Sequence, residues 1–277
     1  MTLRSLLVAL DATPANTART RIAQALAQAF DAHLIGLAPV TSQAVQSFQT
    51  AAAMDGYVAG AATALLGRAE DLAQQFHLQC RDAGLASFEA VADREPSPDT
   101  LARHAQAADL LVMGQPDPSL PNYRQALKDL EDLLLTSARP VLLIPYTHLD
   151  PLHVRRVVVA WDGSRESVRA MTDALPLLRR ATHVTLVHWR ADPADVSAQP
   201  ALASLRQWLA FQGVEATVRD EVTALAVGDA LLNAASDLGA DLIVMGAYGH
   251  ARWAERLFGG VSRTLLQSMT VPVLMAH

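Results

Sequence analysis

The chain repeats its apolar segments in one order, and this repeat constrains its fold more than any other feature. Three segments of the first half have counterparts in the second half: residues 6–11 and 157–162, residues 108–114 and 240–246, and residues 139–144 and 271–276. Gly114 also lies as far before Pro140 as Gly246 lies before Pro272. Matched segments with an equal spacing indicate two tandem copies of one supersecondary unit.

The repeat predicts two domains, residues 1–146 and residues 155–277. Residues 145–151 lie between them and contain two prolines and several polar residues, a composition typical of a linker. A chain of 277 residues, 51% of them hydrophobic, is large enough to form two sizeable cores.

Short apolar runs alternate with helix-patterned segments in both halves. We predict strands at residues 4–10, 33–38, 86–91, 109–113, 140–144, 156–161, 183–189, 215–220, 241–246 and 272–276. We predict helices at residues 15–31, 58–83, 98–107, 127–138, 164–180, 201–213, 225–238 and 261–269. Thr13-Pro14 and Ser164 are the expected start signals of the first helix in each half. Apolar strands joined by helices indicate an α/β fold with a parallel sheet covered on both faces.

A glycine-rich segment follows the buried strand that ends at Met245. Gly246 and Gly249 come first, and Gly259, Gly260 and Ser262 follow at the start of a predicted helix. Glycines let the backbone approach an anion, and the free N–H groups of a helix N-terminus face it, so this pattern predicts a phosphate cradle. The spacing differs from the dinucleotide fingerprint, and the Gly-Lys-Ser/Thr of a P-loop is absent.

The motif resembles the ATP-binding signature of the universal stress protein family, and the resemblance covers nearly the whole chain. It implies two tandem Rossmann-like domains, of the group that includes the adenine nucleotide alpha hydrolases. Each would be a five-stranded parallel sheet with strand order 3-2-1-4-5 and flanking helices. The resemblance also implies that the apolar last strands pair, which brings Leu142, Leu143 and Ile144 close to Val273, Leu274 and Met275.

The resemblance further implies an ATP site, with Mg²⁺, in the second domain. Asp162 matches the family aspartate that contacts ribose or adenine, and Ala160 matches the residue beside the adenine. Met245 is a further candidate for the lining of the adenine pocket. The other implied binding residues are the glycines near ribose and phosphates, Gly246 and Gly249, and the triphosphate cradle, Gly259, Gly260, Val261 and Ser262.

Two residues depart from the family pattern. Gly260 stands where a Ser or Thr is usual, so one phosphate hydrogen bond is lost, worth roughly 1 kcal/mol. Trp189 stands where a small aliphatic residue packs on adenine, and it either stacks on the base or fills its pocket. The sequence leaves these two roles of Trp189 open.

The first half has lost the cradle. Only Asp11 and Gly114 match the second-half site, and residues 115–121 contain three prolines, each lacking the N–H that an anion needs. We therefore expect no ATP in the first domain, and we expect Asp11 to end its strand and orient the next helix. His188 is expected to be a strand-end packing residue, and Arg263 either to neutralise phosphate or to lie in solvent.

The net charge and the single cysteine narrow the possible partners and the compartment of the protein. A formal net charge of −6 argues against a nucleic acid or a membrane as the main partner, and the single Cys80 fits a reducing compartment, so we expect a cytoplasmic protein. The leading hypothesis is a universal stress response protein that binds ATP in its C-terminal domain and acts as a regulator or sensor. Its two domains would form an internal pseudo-dimer, and a homodimer of the chain stays open. The alternatives are a nucleotide-free interaction protein of the same fold and an enzyme such as an ATP pyrophosphatase. Residues 162–165 do not match the loop of such an enzyme, and we expect at most slow ATP hydrolysis.

Overall fold

The described part of the chain forms one continuous ten-stranded sheet. The computed structural model describes residues 2–39, 58–93, 99–249 and 260–277, with backbone alone for residues 58–63. The strands of the first half are β1 (Ser5–Ala9), β2 (His33–Ala38), β3 (Phe88–Ala92), β4 (Leu110–Gly114) and β5 (Val141–Ile144). Its described helices are α1 (Asn16–Phe30), α2 (Val58–Asp82), α3 (Thr100–Ala105) and α4 (Tyr123–Thr136).

The second half repeats the alternation of strands and helices. Its strands are β6 (Arg156–Ala160), β7 (His183–Arg190), β8 (Ala216–Val222), β9 (Leu242–Gly246) and β10 (Val273–Ala276). Its described helices are α5 (Arg165–Asp173), α6 (Leu175–Leu178), α7 (Gln199–Phe211), α8 (Val227–Asp237) and α9 (Val261–Ser268). The predicted boundaries of the two domains, at residues 146 and 155, fall in the connection between β5 and β6 and remain a prediction.

The order of strands across the sheet is β3-β2-β1-β4-β5-β10-β9-β6-β7-β8. Each half therefore has the predicted order 3-2-1-4-5, with parallel pairing between its own neighbouring strands. The halves join where β5 and β10 pair antiparallel, with Leu142 opposite Leu274 and Leu143 opposite Val273. This confirms the predicted pairing of the last strands, and it removes two apolar edges that would otherwise be exposed.

Helices cover both faces of the sheet, as the apolar strands predict. Buried residues of α1, α2, α5, α6 and α7 pack on one face, and those of α3, α4, α8 and α9 pack on the other. Each of these two cores contains residues from both halves: Ile144 and Leu274 belong to the first, and Leu143 and Met275 to the second. Burying one such side chain fully contributes roughly 1.5–3 kcal/mol.

Most helix ends differ from the predicted ones by one or two residues, and helices α1, α4 and α5 differ in how they start or stop. The helix predicted at 164–180 is broken at Ala174, because Pro176 lacks the N–H that would continue the helical hydrogen bonds. Helix α1 begins at Asn16, later than Thr13-Pro14 predicts, because the Thr13 hydroxyl bonds Asp11 instead of capping the helix. Helix α4 begins at Tyr123, four residues before the predicted position 127. Among the residues that the structure describes, no helix is both long and apolar enough to cross a membrane.

Candidate functional site

Two of the predicted site residues, Ala160 and Gly246, lie at the carboxyl ends of the adjacent strands β6 and β9. Strand β6 lies between β7 and β9. The strands that follow β6 in the chain are therefore placed first on one side of it, as β7 and β8, and then on the other, as β9 and β10. Ala160 is the last residue of β6, and Gly246 is the last residue of β9. Ligands of parallel α/β sheets bind in the crevice at such a switch point, outside the carboxyl ends of the strands.

Four of the predicted residues also share one face of the sheet. Ala160, Trp189 and Val261 are partly buried and pack against the core beneath α8 and α9, to which Met245 belongs. Met245 is only 4% exposed, so its side chain is part of the floor of this region. The fold thus places on one side of the sheet four residues that the sequence prediction assigned to one site.

Asp162 shapes the turn that follows β6. Its Oδ1 accepts hydrogen bonds from the Ser164 amide at 3.0 Å and the Ser164 hydroxyl at 2.6 Å. Ser164 Oγ in turn accepts a hydrogen bond from the Ser167 amide at 3.1 Å, which confirms Ser164 as the N-cap of α5. The Asp162 side chain is exposed at this edge of the sheet, where a ligand can reach it.

Gly246 and Gly249 lie against the N-terminus of α5. A Cβ on Gly246 would be 2.5 Å from the Ser167 amide nitrogen, and a Cβ on Gly249 would be 2.8 Å from Ser164 Oγ. Real Cβ atoms do not approach backbone this closely, so packing between α5 and β9 requires glycine at 246. The family resemblance implied that both glycines contact ribose and phosphate, and the structure adds close packing as a separate reason for glycine at these positions.

Ser262 holds the glycine-rich segment through a main-chain hydrogen bond. The Tyr248 amide donates to Ser262 Oγ at 3.1 Å, and Ser262 is only 2% exposed. Tyr248 has a φ of 56°, in the left-handed region that costs a non-glycine residue about 1 kcal/mol or more. Ser262 therefore stabilises a strained turn, a role that the resemblance did not imply.

Helix α9 opens with a glycine at its cap. Gly260 is the N-cap residue and supplies no side-chain hydrogen bond to the first turn, as expected for a glycine. Gly259 lies outside the described residues.

Arg263 faces the first half, with its Nε 3.7 Å from Glu131 Oε1, so the structure pairs it with a carboxylate of α4. A shallow depression of about 640 Å³ between α7 and β8 includes none of the predicted site residues.

Glu166 is a buried carboxylate that the sequence prediction missed. It is 3% exposed, and its Oε1 accepts a hydrogen bond from Arg165 Nε at 2.5 Å. Burial raises the pKa of Glu166, but the Arg165 hydrogen bond and charge and a backbone amide outweigh burial, so the pKa lies below its usual value. Its position in the first turn of α5, after Ser164, also favours a negative charge there.

His188 belongs to a polar network rather than only to packing. Its Nδ1 lies 3.0 Å from Asp220 Oδ1, and Arg190 Nε lies 3.3 Å from the same oxygen. The hydrogen bond with His188 lowers the pKa of Asp220, and although burial opposes this, the charges of Arg190 and His188 add to it. The His188 ring also contacts Trp161, with 5.6 Å between ring centroids. The network ties β7 to β8 beside the site.

In the first half, a buried arginine, Arg19, occupies the region that corresponds to the predicted site of the second half. Asp11 Oδ1 accepts from the Thr13 amide at 2.8 Å, so the Asp11 carboxylate shapes the turn between β1 and α1. Its other oxygen, Oδ2, accepts from Arg19 Nη2 at 2.7 Å, and Arg19 is 1% exposed. The sequence prediction missed Arg19, although it lies on the same helical stripe as the buried Ile22 and Leu26.

Comparison with known proteins identifies the second half. Residues 153–277 match the model of the universal stress protein family. The crystal structure of a universal stress protein from Archaeoglobus fulgidus DSM 4304 superposes with a TM-score of 0.77 at 17% identity, covering 99% of this chain and 96% of that chain. A functionally unknown protein from Pseudomonas aeruginosa PAO1 gives a TM-score of 0.61 at 18% identity, covering 99% and 92%. No curated protein sequence matches the chain. At these identities the two structures establish the fold alone.

Proposed function

The chain belongs to the universal stress protein family through residues 153–277, and we propose that this half binds one ATP as a regulatory ligand of a cytoplasmic stress-response protein. The observation that supports the proposal most directly is the meeting of the predicted residues at one switch point. Ala160, Asp162 and Gly246 end or follow the two adjacent strands β6 and β9 there. An adenine nucleotide in this crevice would be bound as ligands of parallel α/β sheets are bound.

The described residues suit the three parts of ATP. Trp189 and Ala160 offer apolar surface on the same face of the sheet for the base. The exposed carboxylate of Asp162 can accept hydrogen bonds from the ribose hydroxyls. The N-terminus of α9, capped by Gly260 without a side chain, suits the phosphates, because helix N–H groups and the helix dipole favour anions.

Mg²⁺ would accompany the triphosphate and neutralise part of its charge, because it prefers phosphate and carboxylate oxygens. Ser262 would act on the phosphates through the turn that it holds, since its Oγ already accepts the Tyr248 amide and is buried. We therefore assign Ser262 to the support of the cradle.

ATP in this proposal is a regulator that shifts a conformational equilibrium, and the chain consumes it slowly at most. A general base needs a side chain that reaches the attacking water and is oriented by a partner. Among the described residues beside the cradle, Glu166 is the buried carboxylate, and its pKa is lowered by the pairing with Arg165, which makes it a weak base. This supports binding without rapid turnover.

A nucleotide-free interaction protein of the same fold is the second candidate. The engagement of the Ser262 hydroxyl by Tyr248 favours it, as does the presence of Trp189 where a small residue is usual in the family. In that case Trp189 would fill the base pocket. Mass spectrometry of small molecules released from the purified protein separates the two candidates, since only the first predicts a bound adenine nucleotide.

Isothermal titration calorimetry with ATP and Mg²⁺ tests the proposal. We expect one site per chain. Comparison of Asp162→Asn with Asp11→Asn shows which half holds the ATP site, because the two aspartates follow corresponding strands. Loss of a hydrogen bond to a charged group, worth about 1.5 kcal/mol, should raise the Kd of Asp162→Asn roughly tenfold. Asp11→Asn should bind as the wild type does. Two equal sites, or none, would contradict the proposal.

A further inference from the structure

Arg19 sits at the centre of a polar network in the first half. Its Nε donates to the Ala9 carbonyl at 2.9 Å, and its Nη2 donates to Asp11 Oδ2 at 2.7 Å and to Asn16 Oδ1 at 2.9 Å. A Cβ on Gly114 would overlap Arg19 Nη1, so the guanidinium also lies against the end of β4. One buried cation thus contacts the ends of both central strands of the first half.

Three of these four contacts fall on residues that correspond to the proposed nucleotide site. By the repeat, Ala9 corresponds to Ala160, Asp11 to Asp162, and Gly114 to Gly246. Arg19 itself corresponds to Ala170, a fully buried residue whose methyl group can donate no hydrogen bond. The two halves therefore differ at the helical position that delivers this donor in the first half.

The difference changes how the first helix of each half meets the sheet. In the second half, the place beside Gly246 is taken by the backbone of α5, since a Cβ there would lie 2.5 Å from the Ser167 nitrogen. In the first half, the guanidinium of Arg19 lies between Gly114 and α1. Arg19 thus acts as a spacer as well as a hydrogen-bond donor.

We infer that Arg19 is a built-in counter-ion that takes Asp11 out of ligand binding and makes the first half complete without a ligand. The Asp11 carboxylate is shared between Thr13 on one oxygen and Arg19 on the other. An arginine fork suits this place because its planar guanidinium can serve several acceptors at once, whereas a lysine ammonium is a compact point charge. The inference concerns the first half alone and stands whether or not the second half binds ATP.

Energetics favour a strong preference for arginine here. Arg19 is 1% exposed, so its charge is removed from water and depends on its acceptors for compensation. Removing it takes the Arg19 donor away from the Ala9 carbonyl, leaves Asn16 Oδ1 with the Asp11 amide as its donor, and leaves a space of guanidinium size beside Gly114. A small planar cation from solution can enter such a space, whereas an ammonium of the same charge lacks the geometry.

Thermal unfolding of the full chain tests the inference, with three variants and the guanidinium ion as the probe. The variants are Arg19→Ala, Arg19→Lys and the control Arg21→Ala, whose side chain is exposed on the same helix. We expect both Arg19 variants to melt several degrees below the wild type and Arg21→Ala to melt with it. Millimolar guanidinium should raise the Tm of Arg19→Ala and leave the other three proteins unchanged or slightly less stable.

Two results would overturn the inference. The first is an Arg19→Lys variant that melts with the wild type, because a single ammonium would then be sufficient. The second is a folded Arg19→Ala variant whose Tm guanidinium does not raise. If Arg19→Ala fails to fold, refolding from urea with and without millimolar guanidinium replaces the melt. A recovery of soluble protein that is no greater with guanidinium than without it would then count against the inference. Because no nucleotide is used, neither result depends on the proposed function.

Discussion

The Tyr248 amide donates a hydrogen bond to the hydroxyl of Ser262 at 3.1 Å and thereby ties the glycine-rich segment to the start of α9. Ser262→Ala removes the acceptor, and we expect a loss of stability of about 1 kcal/mol. ATP should also bind more weakly, because the turn at Tyr248 is strained and would relax. Urea unfolding and calorimetry measure the two effects.

Two variants control for this prediction. Ser262→Thr keeps the hydroxyl and should behave more like the wild type, and Ser268→Ala changes an exposed serine on the same helix. If Ser262→Ala were as stable as Ser268→Ala, the hydrogen bond to Tyr248 would not be holding the turn.

Gly246→Ala should destabilise the protein by about 1–3 kcal/mol, because the added methyl group would press on the backbone of α5. Gly67→Ala is the matched control. Gly67 lies in helix α2 with nothing within 4 Å of an added Cβ, so alanine should stabilise that helix by about 0.5–1 kcal/mol. Urea unfolding of both variants gives the comparison. Equal stabilities would mean that α5 does not approach β9 as closely as we describe.

Trp189→Ala decides between the two roles of this side chain. Because Trp189 is only partly buried on the face that carries Ala160, we expect the rest of its ring to stack on the base. The variant should therefore lose about 1–3 kcal/mol of ATP affinity, the range seen for base–aromatic stacking. Trp208, which is partly buried against the core of the opposite face, is the control, and Trp208→Ala should bind ATP as the wild type does. Tighter binding by Trp189→Ala would instead show that the indole fills the pocket.

Turnover of ATP should be far slower than the median enzyme rate of about 10 per second. The physical reason is that, among the described residues of the proposed site, the carboxylates are Asp162, which we propose to face the sugar, and Glu166, whose pKa is lowered by its pairing with Arg165, so neither is suited to act as a base for water. A steady-state phosphate-release assay with Mg²⁺ measures the rate. Turnover above about one per second that is lost in Asp162→Asn would identify an enzyme.

The Asp220 carboxylate should stabilise the fold in a pH-dependent way. Its folded pKa is lowered, mainly by the hydrogen bond with His188, so its contribution is present above the unfolded Asp pKa of about 3.9. That contribution disappears as the pH falls through the lower folded value. Asp220→Asn should thus lower the Tm near neutral pH, and the gap to the wild type should close in strong acid. The control Asp237→Asn changes an exposed carboxylate on α8. A gap that is the same at all pH values would exclude this role.

The sequence by itself determined the architecture. The alternation of apolar runs and helical stripes places all ten strands, because burial on both faces of a parallel sheet requires continuous apolar segments. The repeat determined that both halves share one strand order. The order itself and the pairing of β5 with β10 are what the family resemblance implied, and the structure confirms both. Ser164 was recognisable as an N-cap because capping depends on a few neighbouring residues.

Only the tertiary structure decided how the side chains at the strand ends are used. The sequence shows that Arg19 lies on the buried stripe of α1, but its acceptors Ala9 and Asp11 belong to β1 and to the turn that follows it, and their positions depend on how α1 packs on the sheet. Gly246 likewise owes its tight environment to Ser167, a residue remote in sequence. Such contacts depend on the relative placement of whole elements, which local propensity and hydrophobic periodicity do not specify.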